Sequence, residues 1–535
     1  MVSNMKKLLK VLLAAVLALT LTACSAAGNA VADTVNVGVT SPVGLLNPLK
    51  MDGVEINKYA TGLMFLPLVE IDPELNFVGQ LADSITTTDN LNFDVHIDET
   101  AVWSDGQPIT AEDVAYTVLR MASPSIGNVT MQLYNIVGVK DDGMVEAGAD
   151  SIEGVQVIDE KTVRFTTKFP MGLTSFQNAY GRYIMTLPKH IIEQFSEEEL
   201  PTAEWFNQPD VVSGPYFVSD VDFNHYVSYQ ANEQYWRGAP SIKNLNIRIV
   251  DGSQLYAGLQ SGEIDITHHT LSSIPQEDYE SVEELDNIKV IYGTPVTNLS
   301  VFIQTANVPD VRVRQALLYA IDREKILSDL LKGKGEIVDG FLSSAGPFYD
   351  ETMVPFAYDP DKARALLTDA GWDGTQVLTM YIDSGDSTFV NAAAVMVAQW
   401  AEIGITVEIR SVDLNTLMTV PTDESTSDYA MMAVQYTYPP IDPYADVFWL
   451  LGGPGSWTGY SDPAIDAALV DVQNSSDTQA VKELYSIINR KVQEDVPLFS
   501  AYVISPQGAV NNRLLNAEPS AYGFFNEVQN WEIAQ

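Results

Sequence analysis

Short runs with strand-like alternation and longer runs with helical spacing interleave along this chain, and that interleaving constrains the fold more than any single motif does. Alternating or apolar runs predict strands at Thr34 to Val39, Leu91 to Ile97, Lys161 to Thr167, Tyr226 to Gln230, Leu245 to Val250, Ile264 to Thr267, Ile288 to Tyr292, Leu299 to Gln304, Val377 to Ile382 and Thr406 to Val412. Helices are predicted after Thr110, whose hydroxyl side chain and the following acids form a capping start. Further helices are predicted from Asp310 through Ala320, from Asp361 to a cap at Gly371, over Asn391 to Ile403, over Pro463 to Val472, and over Gln479 to Glu494. Both types recur throughout with no internal repeat, so the class is α/β and not a solenoid, propeller or all-β array. At 535 residues, 46% of them hydrophobic and 19% charged, the chain has material for more than one core.

Charge and cysteine content then remove whole classes of function. Lys+Arg is 29 and Asp+Glu is 71, a net charge of −42, which repels phosphate backbones and excludes a nucleic-acid binder. One cysteine rules out a disulfide framework and a Cys-rich metal site. That residue, Cys24, follows Lys6, Lys7, Lys10 and an apolar run from Val11 to Leu21, which is too short to span ~30 Å of hydrocarbon but has the length of an export-signal core. Leu21-Thr22-Ala23-Cys24 resembles the lipobox of bacterial lipoproteins. The resemblance implies a signal peptide over 1–23, diacylglyceryl attachment at Cys24 and location on the extracytoplasmic face of the cell membrane. Removing 1–23 takes away three lysines and no acid, which makes the remainder more negative still. Residues 24–33 are small and polar and read as a tether.

Catalytic patterns are missing. The sequence has no G-x-S-x-G, G-x-x-x-x-G-K-[ST], H-E-x-x-H or G-x-G-x-x-G. Of five histidines, only His268-His269 are adjacent, and neighbouring strand residues point to opposite faces, so they do not make a shared metal site. Acidic pairs such as Asp141-Asp142 read as solvated surface charge.

Longer segments carry a family resemblance. Trp103-Ser104-Asp105-Gly106-Gln107-Pro108-Ile109-Thr110-Ala111-Glu112-Asp113-Val114 resembles a signature of extracellular solute-binding proteins of the peptide/nickel class, which serve ABC importers. Matches continue in family order at Leu187 to Ile191, Ser213 to Tyr216, Asn232 to Gly238, Ser261 to Asp265, Val311 to Ala316, Ala320 to Arg323 and Asp359 to Trp372. The resemblance implies a periplasmic-binding-protein-like fold: two α/β lobes joined by a two-strand hinge, with an extra domain inserted in the first lobe. It places the first lobe at 34–64, 205–292 and 499–535, the insertion at 65–204 and the second lobe at 293–498. With no activated nucleophile, acid/base pair or metal-ligand cluster in the sequence, no enzyme activity, cofactor or metal is expected; a secreted enzyme or a surface receptor on the same scaffold is the alternative of another class. The implied partners are a permease with its ATPase subunits and a peptide or other small solute, captured by closure of the lobes.

Peptide-binding relatives hold the ligand amino group with an aspartate in a W-x-x-D segment before an acidic-Pro pair. The matching stretch here is Gln435-Tyr436-Thr437-Tyr438-Pro439-Pro440-Ile441-Asp442-Pro443, with no aspartate at the anchoring position. Either Asp442 takes over, or the solute lacks a free amino terminus, as an oligosaccharide does. The remaining cleft candidates by resemblance are Asp52, Gly53, Val54, His268, His269, Thr270 and Asn298, and Tyr436, Tyr438 and Trp449 are candidate aromatic contacts.

Overall fold

The computed structural model describes residues 33–534 apart from 52–53, 129–132, 273, 385–386, 453–455 and 476. The expected signal segment, Cys24 and the tether up to residue 32 lie outside the described residues, as do Asp52 and Gly53.

Thr34–Val39 is the centre of the first lobe. It runs parallel to both of its neighbours, Asn244–Ile249 and Ile266–Thr267. The full seven-stranded order is Ile288–Tyr292, Gln507–Asn511, Ile266–Thr267, Thr34–Val39, Asn244–Ile249, Tyr226–Ala231 and Tyr216–Asp222. Val35, Val37 and Val39 are buried, as a β-branched strand flanked on both sides should be.

A second sheet of six strands forms the other lobe, in the order Gly335–Glu336, Leu498–Ile504, Thr297–Ile303, Met431–Thr437, Val377–Asp383 and Thr406–Val412. The helix Ser387–Glu402 links the parallel strands Val377–Asp383 and Thr406–Val412, as a parallel pair requires. A third, four-stranded antiparallel sheet (Ala82–Thr87, Asn92–Ile97, Thr162–Thr166, Val155–Val157) is the insertion in the first lobe. It shares one continuous apolar core with that lobe, whereas the second lobe has a separate core on each face of its sheet.

The Trp103 segment is scaffold. Gly106 takes φ +88°, Trp103 N–H donates to Gln107 O at 2.8 Å, and Thr110 with Asp113 forms a capping box that starts the helix Ala111–Met121. Gly371 adopts φ +73° and ends its helix as its placement predicts.

Two segments cross between the lobes, 293–296 and 505–506, and they are tied to each other by Gly293 N–H donating to Pro506 O at 2.8 Å. This corrects the expected return point at 499: Leu498–Ile504 pairs with Thr297–Ile303 inside the second lobe, and the chain re-enters the first lobe after Pro506. His269 fills the space beneath the crossing. A Cβ on Gly293 would sit 2.5 Å from its Nδ1, and one on Gly508 would sit 2.6 Å from its Nε2, so both positions need glycine for close approach.

Candidate functional site between the lobes

Two groups of charge meet where the lobes touch. On the first lobe, the helix Glu55–Gly62 presents Glu55 and Lys58, the strand Val69–Ile71 presents Glu70, and the turn after Gln177–Gly181 presents Arg182. Lys58 Nζ lies 2.7 Å from Glu70 Oε2 and 3.0 Å from Glu55 Oε2, and Arg182 Nε lies 2.5 Å from Glu70 Oε1. Two cations meet two carboxylates, so this cluster is self-neutralising. Burial works to raise the Glu55 carboxyl, but the charges of Lys58 and Arg182 overrule it and hold it down at about 2.

On the second lobe stand two acids one helical turn apart. Asp442 precedes the helix Tyr444–Leu451, and Asp446 lies in its first turn. Ser175 Oγ donates to Asp442 Oδ1 at 3.0 Å, and Asn178 Nδ2 donates to Asp442 Oδ2 at 3.3 Å, both from the inserted domain. Asn178 also accepts from Arg182 Nη1 at 3.1 Å, so its amide orientation is set by a cation on one side and an acid on the other. Gln473 extends this seam: its Nε2 donates to Ser175 Oγ at 3.3 Å, and its Oε1 accepts from Gly172 N–H at 3.1 Å. Nearer the hinge, Tyr522 Oη donates to Tyr438 O at 2.9 Å.

Neither Asp442 nor Asp446 has a Lys, Arg or His partner among the described residues. Burial pushes the Asp442 carboxyl up, with Ser175 and Asn178 opposing it. Burial raises Asp446 to about 7, against the donation from Tyr436 and with help from the charge of Asp442. Tyr436 Oη donates to Asp446 Oδ1 at 2.5 Å, while its ring packs edge-on against Phe302 and Trp457.

The other expected residues have different surroundings. Val54 is exposed and precedes the helix that carries Glu55. His268 is buried between Tyr59 and Phe524, and its Nδ1 accepts from Thr270 N–H at 3.1 Å. His269 contacts Ile291 O at 3.0 Å under the hinge. Burial pulls these two imidazoles down to about 3 and about 4, and the half-buried Thr270 lies against His268. Tyr438 is core, with its hydroxyl accepting from Ser343 N–H at 2.7 Å. Trp449 is 53% exposed on the outer side of its helix. Asn298 is fully buried in the second sheet, opposite Tyr436 in register. Asp446, Ser175, Asn178, Gln473 and the Lys58 cluster were not expected. The one local signal among them is the i, i+4 spacing of Asp442 and Asp446, which puts both acids on one side of a turn.

The architecture defines a two-lobed solute binder, and comparison with known proteins gives its family. Residues 76–458 match the model of bacterial extracellular solute-binding proteins, family 5 (middle region), and the chain belongs to that family, whose members serve ABC peptide and nickel importers. It is similar to the oligopeptide-binding protein AppA of Bacillus subtilis, with 24% identity over 495 residues, 88% of this chain and 87% of the relative. Its fold is similar to that of the ABC transporter substrate-binding protein CtaP of Listeria monocytogenes, with TM-score 0.80, 24% identity, and coverage of 94% of this chain and 100% of the other. The crystal structure of B. subtilis AppA with a nonapeptide superimposes with TM-score 0.74 at 22% identity, covering 94% and 99%.

Proposed function

We propose that this chain is the lipid-anchored, extracytoplasmic binding component of an ABC importer, capturing an oligopeptide-like solute between its lobes and handing it to the permease and its ATPase subunits. The observation that carries this reading is the polar seam that Asp442, Ser175, Asn178 and Gln473 make across the lobes. A solute that bridges the same two surfaces favours the closed state by its extra affinity for that state, and the permease then recognises closure. Anchoring through Cys24 keeps the binder at high effective concentration beside the transporter, and two acyl chains hold where one alone does not.

A second reading is a solute without a free amino terminus, such as an oligosaccharide. It is favoured by the engagement of both Asp442 oxygens with Ser175 and Asn178, which leaves that carboxylate committed. Mass spectrometry of solute released from protein purified out of its native membrane separates the two: peptides support the first reading, and glycans replace it with the second. Labelling with a radioactive fatty acid tests the anchor, and a Cys24→Ala variant that still partitions with membranes would remove it.

A further inference from the structure

We infer that Lys334 and Tyr292 form a clamp across the hinge that favours the bridged arrangement of the lobes before any solute arrives, which makes Lys334 a positioning residue for closure. The inference concerns the equilibrium between the lobes and holds whichever solute they capture. Lys334 Nζ stands 4.0 Å from the centroid of the Tyr292 ring. Tyr292 ends the first-lobe strand Ile288–Tyr292, directly before the crossing segment 293–296, and Lys334 lies in the second lobe, between the helix Arg323–Leu331 and the strand Gly335–Glu336. A cation within about 6 Å of a ring centroid is attracted by the negative face of the ring. Both side chains are half-buried, so water screens the attraction less than at an open surface. Tyr292 Oη also donates to Glu283 Oε1 at 2.6 Å, which pushes electron density into the ring and strengthens its pull on a cation. Among the described residues no carboxylate pairs with the Lys334 ammonium, so the ring takes the place of one.

Each end of this contact is pinned to its own lobe. On the first lobe, Gln507 Nε2 donates to Tyr292 Oη at 3.2 Å and to Tyr279 O at 3.1 Å, and the Tyr279 ring meets that of Tyr292 edge-on at 6.2 Å. On the second lobe, Lys334 O accepts from Ser505 N–H at 3.3 Å. Its neighbour Gly335 lies so close to the strand Leu498–Ile504 that a Cβ there would sit 2.1 Å from Val503 O. Between the two pins lie the crossing segments and the lysine's own stem. Rotation of the lobes about the crossing therefore moves Nζ against the ring, and because the attraction fades with separation, the contact favours the lobe angle at which it is made. In this structure that angle is the one at which Ser175 and Asn178 reach Asp442. The seam ties the lobes on the cleft side, and the clamp ties them at the hinge. Lys332 offers a contrast two residues away: its Nζ lies 3.9 Å from Glu280 Oε1 on the other lobe, but the side chains are 60% and 77% exposed, so that pair contributes little.

The test uses the solute-free full chain with Cys24→Ser, Gln234→Cys and Glu402→Cys, which puts one spin label at an exposed position on each lobe. Pulsed electron spin resonance then reads the distances between the labels and the share of bridged and separated molecules. Lys334→Met keeps the length of the stem and removes the charge, whereas Lys334→Arg keeps a cation that stacks on a ring. A cation–π contact of this kind shifts a two-state equilibrium about two- to fivefold, so Lys334→Met should lower the ratio of bridged to separated molecules by that factor. Lys334→Arg should hold the wild-type ratio, and Lys332→Met should leave it unchanged. Tyr292→Leu should match Lys334→Met, and the double variant should lose no more than either alone, as a direct contact requires. Circular dichroism melts confirm that each variant folds, and Lys334→Met should melt with the wild type. An unchanged ratio in Lys334→Met, a lowered ratio that Lys334→Arg does not restore, or a wild type with no bridged population overturns the inference.

Discussion

Glu55 and Asp446 sit on opposite lobes of the same interface, and burial pushes both carboxyls upward, yet they end at about 2 and about 7. The difference lies in their neighbours. Glu55 has Lys58 at 3.0 Å and Arg182 at 3.5 Å, and those charges favour its ionised form by more than burial opposes it. Asp446 has a tyrosine, a second acid and, among the described residues, no cation. A buried group of charges that balances itself is part of the scaffold, because nothing further has to arrive for it to be stable. A group that does not balance itself keeps the cost of burying its charge. The first-lobe cluster therefore balances its own charge, whereas the second-lobe pair does not.

Unbalancing the balanced side should produce the largest effect. Glu70→Gln leaves Lys58, which is 1% exposed, and Arg182 with a single carboxylate between them. Removing one partner of a buried ion pair costs about 3–5 kcal/mol. Urea unfolding should show that loss, and a change under about 1 kcal/mol would mean that water or repacking replaces the charge. Next in size is Asp442→Asn. The new amide accepts from one of Ser175 and Asn178 and turns its own N–H₂ towards the other, so both lose a charged acceptor even where the Ser175 hydroxyl accepts from that N–H₂, a cost of about 1.5–3 kcal/mol. Because the donors are on the other lobe, the loss falls on closure and not on folding. Small-angle X-ray scattering should show a larger radius of gyration with little change in melting temperature. A smaller version is Ser175→Ala, with an expected cost to closure of about 0.5–1.5 kcal/mol, read the same way. If either variant melts earlier without opening, the seam supports the inserted domain and not the closed state.

The sequence carries this contrast only in part. Strands with one buried face and clear ends are legible: Thr34–Val39, Ile288–Tyr292 and Thr406–Val412 fall where alternation and flanking turns put them. Leu498–Ile504 and Gln507–Asn511 escape notice because every residue in them is buried, so no period-two pattern exists to be seen. That is why the hinge return was expected six residues too early. Asp442 was legible through its Pro neighbour and its family segment. Its partners Ser175 and Asn178 lie 267 and 264 residues away, brought in by the inserted domain, and no local spacing encodes such a meeting. The histidine doublet shows the opposite limit: a chemically suggestive pair in the chain says nothing of burial, and His269 is wedged between two glycines of the crossing. Asp446 carries no local signal, because what sets it apart is the absence of a cation near it in three dimensions among the described residues.

The smallest effect is a matter of pH, and it tests the unbalanced side alone. The groups acting on Asp446 are Tyr436, which donates to it, and Asp442, while Tyr438, Tyr485 and Tyr522 lie within its electrostatic reach. Its folded carboxyl titrates at about 7 against an ordinary 3.8. Below about pH 4 both folded and unfolded forms hold the proton and Asp446 costs nothing. Between pH 4 and 7 the unfolded chain gives up the proton while the folded one keeps it, so the folded state binds more protons and loses stability as pH rises. Above pH 7 the full penalty is present. Asp446→Asn cannot ionise, and Tyr436 can still donate to its amide oxygen. The variant should match the wild type near pH 4 and become more stable by on the order of 1 kcal/mol by pH 8, given the partial exposure of the group. His268 and His269 contribute the opposite slope, since their folded values of about 3 and about 4 make stability fall as pH drops below 6.5. They are common to both proteins and cancel in the difference. Melting temperatures of solute-free protein from pH 4 to 8 should therefore diverge upward for the variant. Parallel curves would mean that a counter-charge reaches Asp446 without any solute, and the contrast between the two lobes would disappear.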